Sequence, residues 1–365
     1  MLRAFLHPLS VTALSALFIA LLMAVYPVET LQSSLRGLSI WWEVLFPALF
    51  PFFVISELLL GFGIVHFFGK LLDPLMRPLF RLPGIGGFVV TMGYISGYPV
   101  GARLTAQLWA QRLITRAEGE RLVAFTTTSD PIFLIGAVSV GFFQNAAVAP
   151  ILAAAHYGGG FLIGLLMRFH DARKEPPIDR TETSTSDTAT TSGHVRRRIS
   201  RSRLGLALKA MHEARLLDGR GMGRLVQDSI QSALKLMIVV GGLVVFFSVV
   251  MEMLTHAGFV EALAEALRLL FSLIGLPTPL ADAAIFGLFE VTLGSRAAGT
   301  TGTGLMHQVA IAAWVLSWGG LSVHAQIASL LSRTDLRYRP FMIARMLHGL
   351  LAVALVYALW GWLGL

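Results

Sequence analysis

The chain has 365 residues, 55% hydrophobic and 14% charged, with a mean hydropathy of +0.70; this excludes a soluble globular protein and points to a polytopic membrane protein. The formal net charge is +8, yet the basic residues gather between apolar spans rather than on one amphipathic face, so they report topology and not nucleic-acid binding. With no cysteine, disulfides, zinc–cysteine sites and a cysteine nucleophile are excluded.

In chain order, apolar runs at 8–27, 38–68, 122–143, 147–168, 227–253, 305–332 and 341–364 approach or exceed the ~20 residues a transmembrane helix needs. The first follows Arg3 but lacks a small-x-small cleavage site, which makes it a retained span. Two further stretches, 84–102 and 278–301, are interrupted by glycines and polar residues and end in arginine. Hydrocarbon cannot satisfy a free peptide group, so such backbone survives only where protein buries it or it lines a cavity. Both stretches read as re-entrant hairpins. Segments 69–83, 103–121, 169–226 and 333–339 carry most of the Lys and Arg and are predicted cytoplasmic together with the N-terminus, with 28–37 and 254–277 opposite. Within 169–226, Thr181–Ser192 has almost nothing apolar to bury and is predicted disordered. The flank 203–224 reads as an amphipathic helix on the membrane face or as a solvated connector.

The long basic segment divides a repeat. Leu82-Pro83 recurs as Leu276-Pro277, Gly101-Ala102-Arg103 as Gly294-Ser295-Arg296, and His156 as His348. The expected fold is therefore an all-α polytopic membrane protein, about seven transmembrane helices plus two re-entrant hairpins in an inverted repeat. The predicted divisions are an N-terminal span and loop (1–37), a first repeat (38–168), the linker (169–226) and a second repeat (227–365).

Paired interruptions of this kind mark the solute site of a transporter. In the first hairpin, Gly97, Tyr98 and Gly101 surround Pro99, and the exposed N-termini of half-helices can hold an anion. Arg103 and Arg296, next to Ser295, can pair with a carboxylate, or can snorkel to headgroups. Ser129 and Asp130 lie at a break in the span 122–143, where Asp130 can cap a half-helix, bind a coupling Na+, carry H+ or pair with an arginine. Glu290 and Thr292 lie inside the second hairpin, and Ser322, His324 and Gln326 follow the break at Gly319-Gly320. His156 and His348 read as helix-packing residues, and Trp41, Trp42, Trp360 and Trp362 as interfacial anchors.

At Ser96–Leu104, Ser129–Val138, Gly287–Thr292 and Gly319–Gln326 the chain resembles the YlbJ-type sporulation integral membrane proteins. These carry the nucleoside-recognition Gate domain and are similar in architecture to concentrative nucleoside transporters. The resemblance covers most of 38–365 and departs from the family pattern at Asp130, where Asn is expected, and at Leu293, where a more polar residue is. It implies a role in endospore formation, with dipicolinate moved across the outer forespore membrane; a nucleoside is the alternative solute. The implied partners are that solute, the lipid bilayer and a second copy in a homo-oligomer, with no nucleic acid and no cofactor beyond a coupling ion.

A membrane-embedded hydrolase is the competing enzyme reading. Ser322 and His324 are two residues apart, which puts them on different faces of a helix, and no nucleophile elbow or His-Glu-x-x-His motif is present. A non-transporting scaffold or receptor is the third reading. The polar breaks in both halves favour transport.

Overall fold

The computed structural model describes residues 8–98, 100–171 and 203–363, and every regular element in them is helical. The first half runs α1 (Pro8–Val25), α2 (Pro27–Gly61), α3 (Ile64–Leu75), α4 (Gly86–Ser96), α5 (Val100–Ala110), α6 (Arg116–Thr126), α7 (Phe133–Phe142) and α8 (Ala146–Met167). A connecting helix, α9 (Arg203–Asp218), leads to α10 (Met222–His256), α11 (Phe259–Leu273), α12 (Leu280–Phe289), α13 (Val291–Thr300), α14 (Leu305–Trp318), α15 (Gly320–Leu331) and α16 (Tyr338–Leu359). The element order of α2–α8 thus recurs in α10–α16, and α2 and α10 are each 35 residues long.

Among the described residues, four helices are long and apolar enough to cross a bilayer: α2, α8, α10 and α16. Several expected segments are therefore redrawn. The run 38–68 is not one span: α2 begins at Pro27, and Gly63, at φ 79°, turns the chain into α3. A Cβ on Gly63 would lie 2.6 Å from the Met211 carbonyl oxygen, so this turn also seats α9, which packs along α3. The loop expected at 28–37 is the first part of α2, where Ser33 Oγ donates to the Ser248 carbonyl of α10 at 2.8 Å. Runs 122–143 and 305–332 are each two short helices, α6 with α7 and α14 with α15. The segment 254–277 holds α11, and within 203–224 the residues Arg203–Asp218 form α9, so this flank is helical. The disorder expected at 181–192 lies outside the described residues.

Each short-helix pair of the hairpin regions closes on one residue. Gly93 of α4 and Gly101 of α5 both sit on Thr126, with built Cβ atoms only 2.4 and 2.7 Å from its carbonyl oxygen. In the second half Gly287 and Gly294 both sit on Val315, and a Cβ on Gly294 would lie 2.3 Å from Gly287 Cα. The arms of α12 and α13 cross in near backbone contact.

The centre is formed by α6, α8, α14 and α16, which pack across the two halves. There His156 and His348 stack with ring centroids 5.1 Å apart. The basic segments gather at one face: Arg121 donates to the carbonyls of Arg81 (3.0 Å) and His170, and Glu120 pairs with Arg337. Elsewhere Arg36 pairs with Glu252 and Tyr26 stacks on His256, joining the start of α2 to the end of α10.

Candidate functional site

The four interruptions, two from each half, open onto one cavity of about 440 Å³. Ser96 and Tyr98 reach it from the α4–α5 break, and Ser129 and Asp130 from the α6–α7 break. Glu290 and Thr292 come from the α12–α13 break, and Ser322 and Gln326 from α15. The opposite wall is apolar, made by Leu49 and Phe53 of α2 and by Leu236, Val239, Val240 and Leu243 of α10. Lys235 of α10 is the cation among the lining residues. The volume suits a small organic solute.

Each break has a local cause. Gly97 ends α4 at φ 70° and ψ −166°, a conformation open to glycine and strained for other residues. A Cβ there would lie 2.9 Å from Asp130 Oδ2, so the missing side chain lets the tip of the first hairpin meet the Asp130 carboxylate. The Tyr98 hydroxyl donates to the Leu316 carbonyl of α14, tying that tip to the second half. Helix α6 ends where the Thr126 and Thr127 hydroxyls fold back onto the Leu122 and Val123 carbonyls, at 2.7 and 2.9 Å. The chain restarts at Asp130, whose Oδ1 accepts the N–H groups of Ile132 (3.0 Å) and Phe133 (2.8 Å). Glu290 does the same for α13: its Oε2 accepts the Leu293 N–H at 2.8 Å. At the fourth break Gly319 and Gly320 take φ 90° and 70°.

Both halves therefore present a capping carboxylate at the N-terminus of a half-helix, and both carboxylates face the same space. Each helix end carries roughly half a positive charge, which offsets part of each carboxylate. With Lys235 opposite, the cavity is bipolar rather than strongly cationic.

The remaining predicted residues lie elsewhere. Gly101 packs on Thr126, and Ser295 is buried outside the cavity lining with its hydroxyl lacking a hydrogen-bond partner. Arg103 is exposed. Arg296 is exposed too and lines a separate cavity of about 280 Å³ with Arg36 and Glu252. His324 is buried on the far side of α15, its Nε2 3.1 Å from the Trp318 carbonyl and its Nδ1 against the Tyr338 hydroxyl. Ser322 and Gln326 are four residues apart and share the cavity face of α15; His324, between them, points away.

Residues not singled out for the site complete it. His156 Nε2 accepts the Ser129 N–H at 3.1 Å, so the ring proton lies on Nδ1 and is donated to Ser317 Oγ at 2.9 Å. This imidazole joins the break of the first half to the end of α14. Arg345, fully buried on α16, donates to carbonyls of both broken spans. Ser96 lies at the glycine-broken end of the stretch 84–102, and Lys235 is a charge inside the apolar run 227–253; those positions were their signals.

The chain matches the family model Gate, described as nucleoside recognition, over residues 42–143 and 237–335. These two stretches contain α4–α7 and α12–α15, the elements that carry the four breaks. It is 42% identical over 344 residues to the sporulation integral membrane protein YlbJ of Bacillus subtilis, covering 94% of this chain and 81% of that protein. It is 27% identical over 109 residues to an uncharacterized protein of Alkalihalophilus pseudofirmus, covering 28% of this chain and 24% of that one. No solved structure matches.

Proposed function

From the premise that this chain belongs to the Gate-domain, YlbJ-type family of sporulation integral membrane proteins, we propose that it is a transporter that carries a small polar solute through the cavity between its helix breaks. The observation that carries this reading is the convergence of four interruptions, two from each half, on one space of about 440 Å³. Non-helical backbone is tolerated at membrane depth only where it is buried in protein or lines such a space. No bond-making step is assigned to the site. The setting we infer is spore formation, after the name of the Bacillus subtilis relative, with the basic face cytoplasmic.

For the solute we favour an uncharged, hydrogen-bonding molecule with a planar ring, of the nucleoside kind. Asp130 and Glu290 offer acceptors to hydroxyl or amide donors, while Phe53 and Phe133 offer an apolar surface to a ring. A dicarboxylate such as dipicolinate would meet two carboxylates, and the arginines expected to hold it, Arg103 and Arg296, lie outside the cavity. Lys235 is the observation that favours the dianion as a second reading.

Uptake by purified protein in liposomes tests both, with uridine and dipicolinate as probes and imposed Na+ or H+ gradients. The favoured reading expects uridine uptake that Asp130→Asn weakens and Arg296→Gln leaves unchanged. Uptake of dipicolinate alone, lost in Lys235→Gln, would replace the nucleoside by the dianion. Absence of uptake of either solute by correctly folded protein would favour a scaffold.

A further inference from the structure

Arg345 is 0% exposed, and its guanidinium has no carboxylate partner among the described residues. It donates to the carbonyls of Ala124 and Thr127, at the unwinding end of α6, and to that of Ser317, near the end of α14, at 3.4 Å. These two helices stop for independent reasons: Thr126 and Thr127 fold back in one, and Gly319 turns at φ 90° in the other. Each C-terminus leaves carbonyls without helical partners and carries roughly half a negative charge. Two such ends, one from each half, thus converge on a single buried cation.

Unwound carbonyls and half-helix C-termini are the ligands with which secondary transporters hold a coupling Na+. Here a side chain of the protein takes those carbonyls. A guanidinium stays charged under all protein conditions and cannot dissociate from the chain. The nearest imidazole adds no competing cation: His156 accepts the Ser129 N–H at Nε2 and is therefore neutral. His348 Nε2 is occupied by the His156 carbonyl at 2.7 Å.

We propose that Arg345 is a resident counter-cation that takes the place of a coupling metal ion where the two broken spans meet, so that the site is assembled without Na+ or K+. The coupling role rests on the transporter reading; the convergence of the carbonyls on Arg345 does not. A test that reads folding rather than transport keeps the two separate.

Thermal unfolding of the purified full-length protein is followed in detergent at matched ionic strength in choline, Na+ or K+ chloride, and with millimolar methylguanidinium. The parent is expected to unfold at the same temperature in all of them. Arg345→Ala is expected to unfold earlier and to recover part of the loss with methylguanidinium or Na+ but not with choline. Saturable stabilisation of the parent by Na+ would overturn the proposal, as would a folded Arg345→Ala that responds to no cation. If the alanine variant does not fold, Arg345→Lys is compared with Arg345→Met. Folding of Lys but not Met supports a role for the charge, and equal folding of both overturns it. If neither folds, the response of the parent to Na+ decides.

Discussion

Arg337 donates three hydrogen bonds to the carboxylate of Glu120, from its backbone N–H at 2.9 Å, Nε at 2.8 Å and Nη2 at 2.7 Å, across 217 positions of sequence. Glu120 also meets His170 at 2.6 Å and Arg116 at 3.2 Å. Burial alone would raise its carboxyl, but the bonds from Arg337, His170 and Arg116 outweigh it and hold it at about 2, below the ordinary 4.5. Because the folded value is depressed, the stabilisation is present above the unfolded value and is lost as pH falls from about 4.5 towards 2. Arg337 is partly exposed, which screens the pair, so its worth is on the order of 2 kcal/mol rather than the larger cost of breaking a fully buried pair. Glu120→Gln should therefore unfold earlier at pH 7 and lose much of the acid sensitivity of the parent between pH 5 and 3. Melting curves over that range check it, and parallel pH profiles of the two proteins would show that Glu120 is not the acid-sensitive group.

The same cluster fixes which loops are neighbours. It joins 69–83 through Arg81, 103–121 through Glu120 and Arg121, 169–171 through His170 and Asp171, and 333–339 through Arg337. The contacts Arg36–Glu252 and Tyr26–His256 join the start of α2 to the end of α10, just before α11, in the same way. In this cysteine-free chain, single cysteines at the exposed positions Gln111 and Asp335 should be modified by an impermeant reagent from one side, and at Gln32 and Ser272 from the other. Labelling of Gln111 and Gln32 positions from the same side would contradict this topology.

How far the sequence disclosed these features depends on what each residue needs locally. The breaks were legible because Gly97, the run Thr126–Ser129 before Pro131, and Gly319-Gly320 each oppose a continuous helix through their own chemistry. The passage of α2 through 28–37 was not, because its polar residues are satisfied by α10: Ser33 bonds the Ser248 carbonyl, and a Cβ on Gly37 would be 2.9 Å from Val245 Cα. Arg296 was expected at the solute because it is the second repeat's counterpart of Arg103 and lies deep in apolar sequence. One helical turn is enough to carry it from the cavity to the surface. Arg345 stood out in sequence only as a charge inside the apolar run 341–364; its partners are backbone carbonyls, which no side-chain pattern announces.

The crossing of α12 and α13 gives a sharp packing test. A Cβ on Gly294 would overlap Gly287 Cα at 2.3 Å and its N at 2.6 Å, and backbone atoms cannot step aside as a flexible side chain can. Gly294→Ala should therefore splay the arms and destabilise by about 1–3 kcal/mol or more, the range for overpacked cores. Gly242→Ala is the control, since nothing lies within 4 Å of its Cβ and α10 is helical there; it should be neutral or stabilising by up to about 1 kcal/mol. Unfolding midpoints of the two variants in detergent check the contrast, and an unchanged midpoint for Gly294→Ala would refute the crossing.

Asp130 combines a structural and a functional task that two substitutions separate. Its Oδ1 caps α7 through Ile132 and Phe133, and its carboxylate lines the cavity beside Gly97. Asparagine keeps an acceptor oxygen in the capping position and removes only the charge; alanine removes both. Asp130→Asn should hold the unfolding midpoint of the parent, while Asp130→Ala should lose roughly 0.5–2 kcal/mol, the cost of an N-cap. A hydrogen bond between the solute and a charged carboxylate is worth on the order of 1.5–3 kcal/mol, so both variants should bind the solute roughly tenfold to a hundredfold more weakly. Calorimetric titration with uridine, alongside melting curves, reads the two effects separately. If Asp130→Asn binds as tightly as the parent, the carboxylate acts as a helix cap alone and the hydrogen bonds to solute must come from Glu290, Ser322 and Gln326.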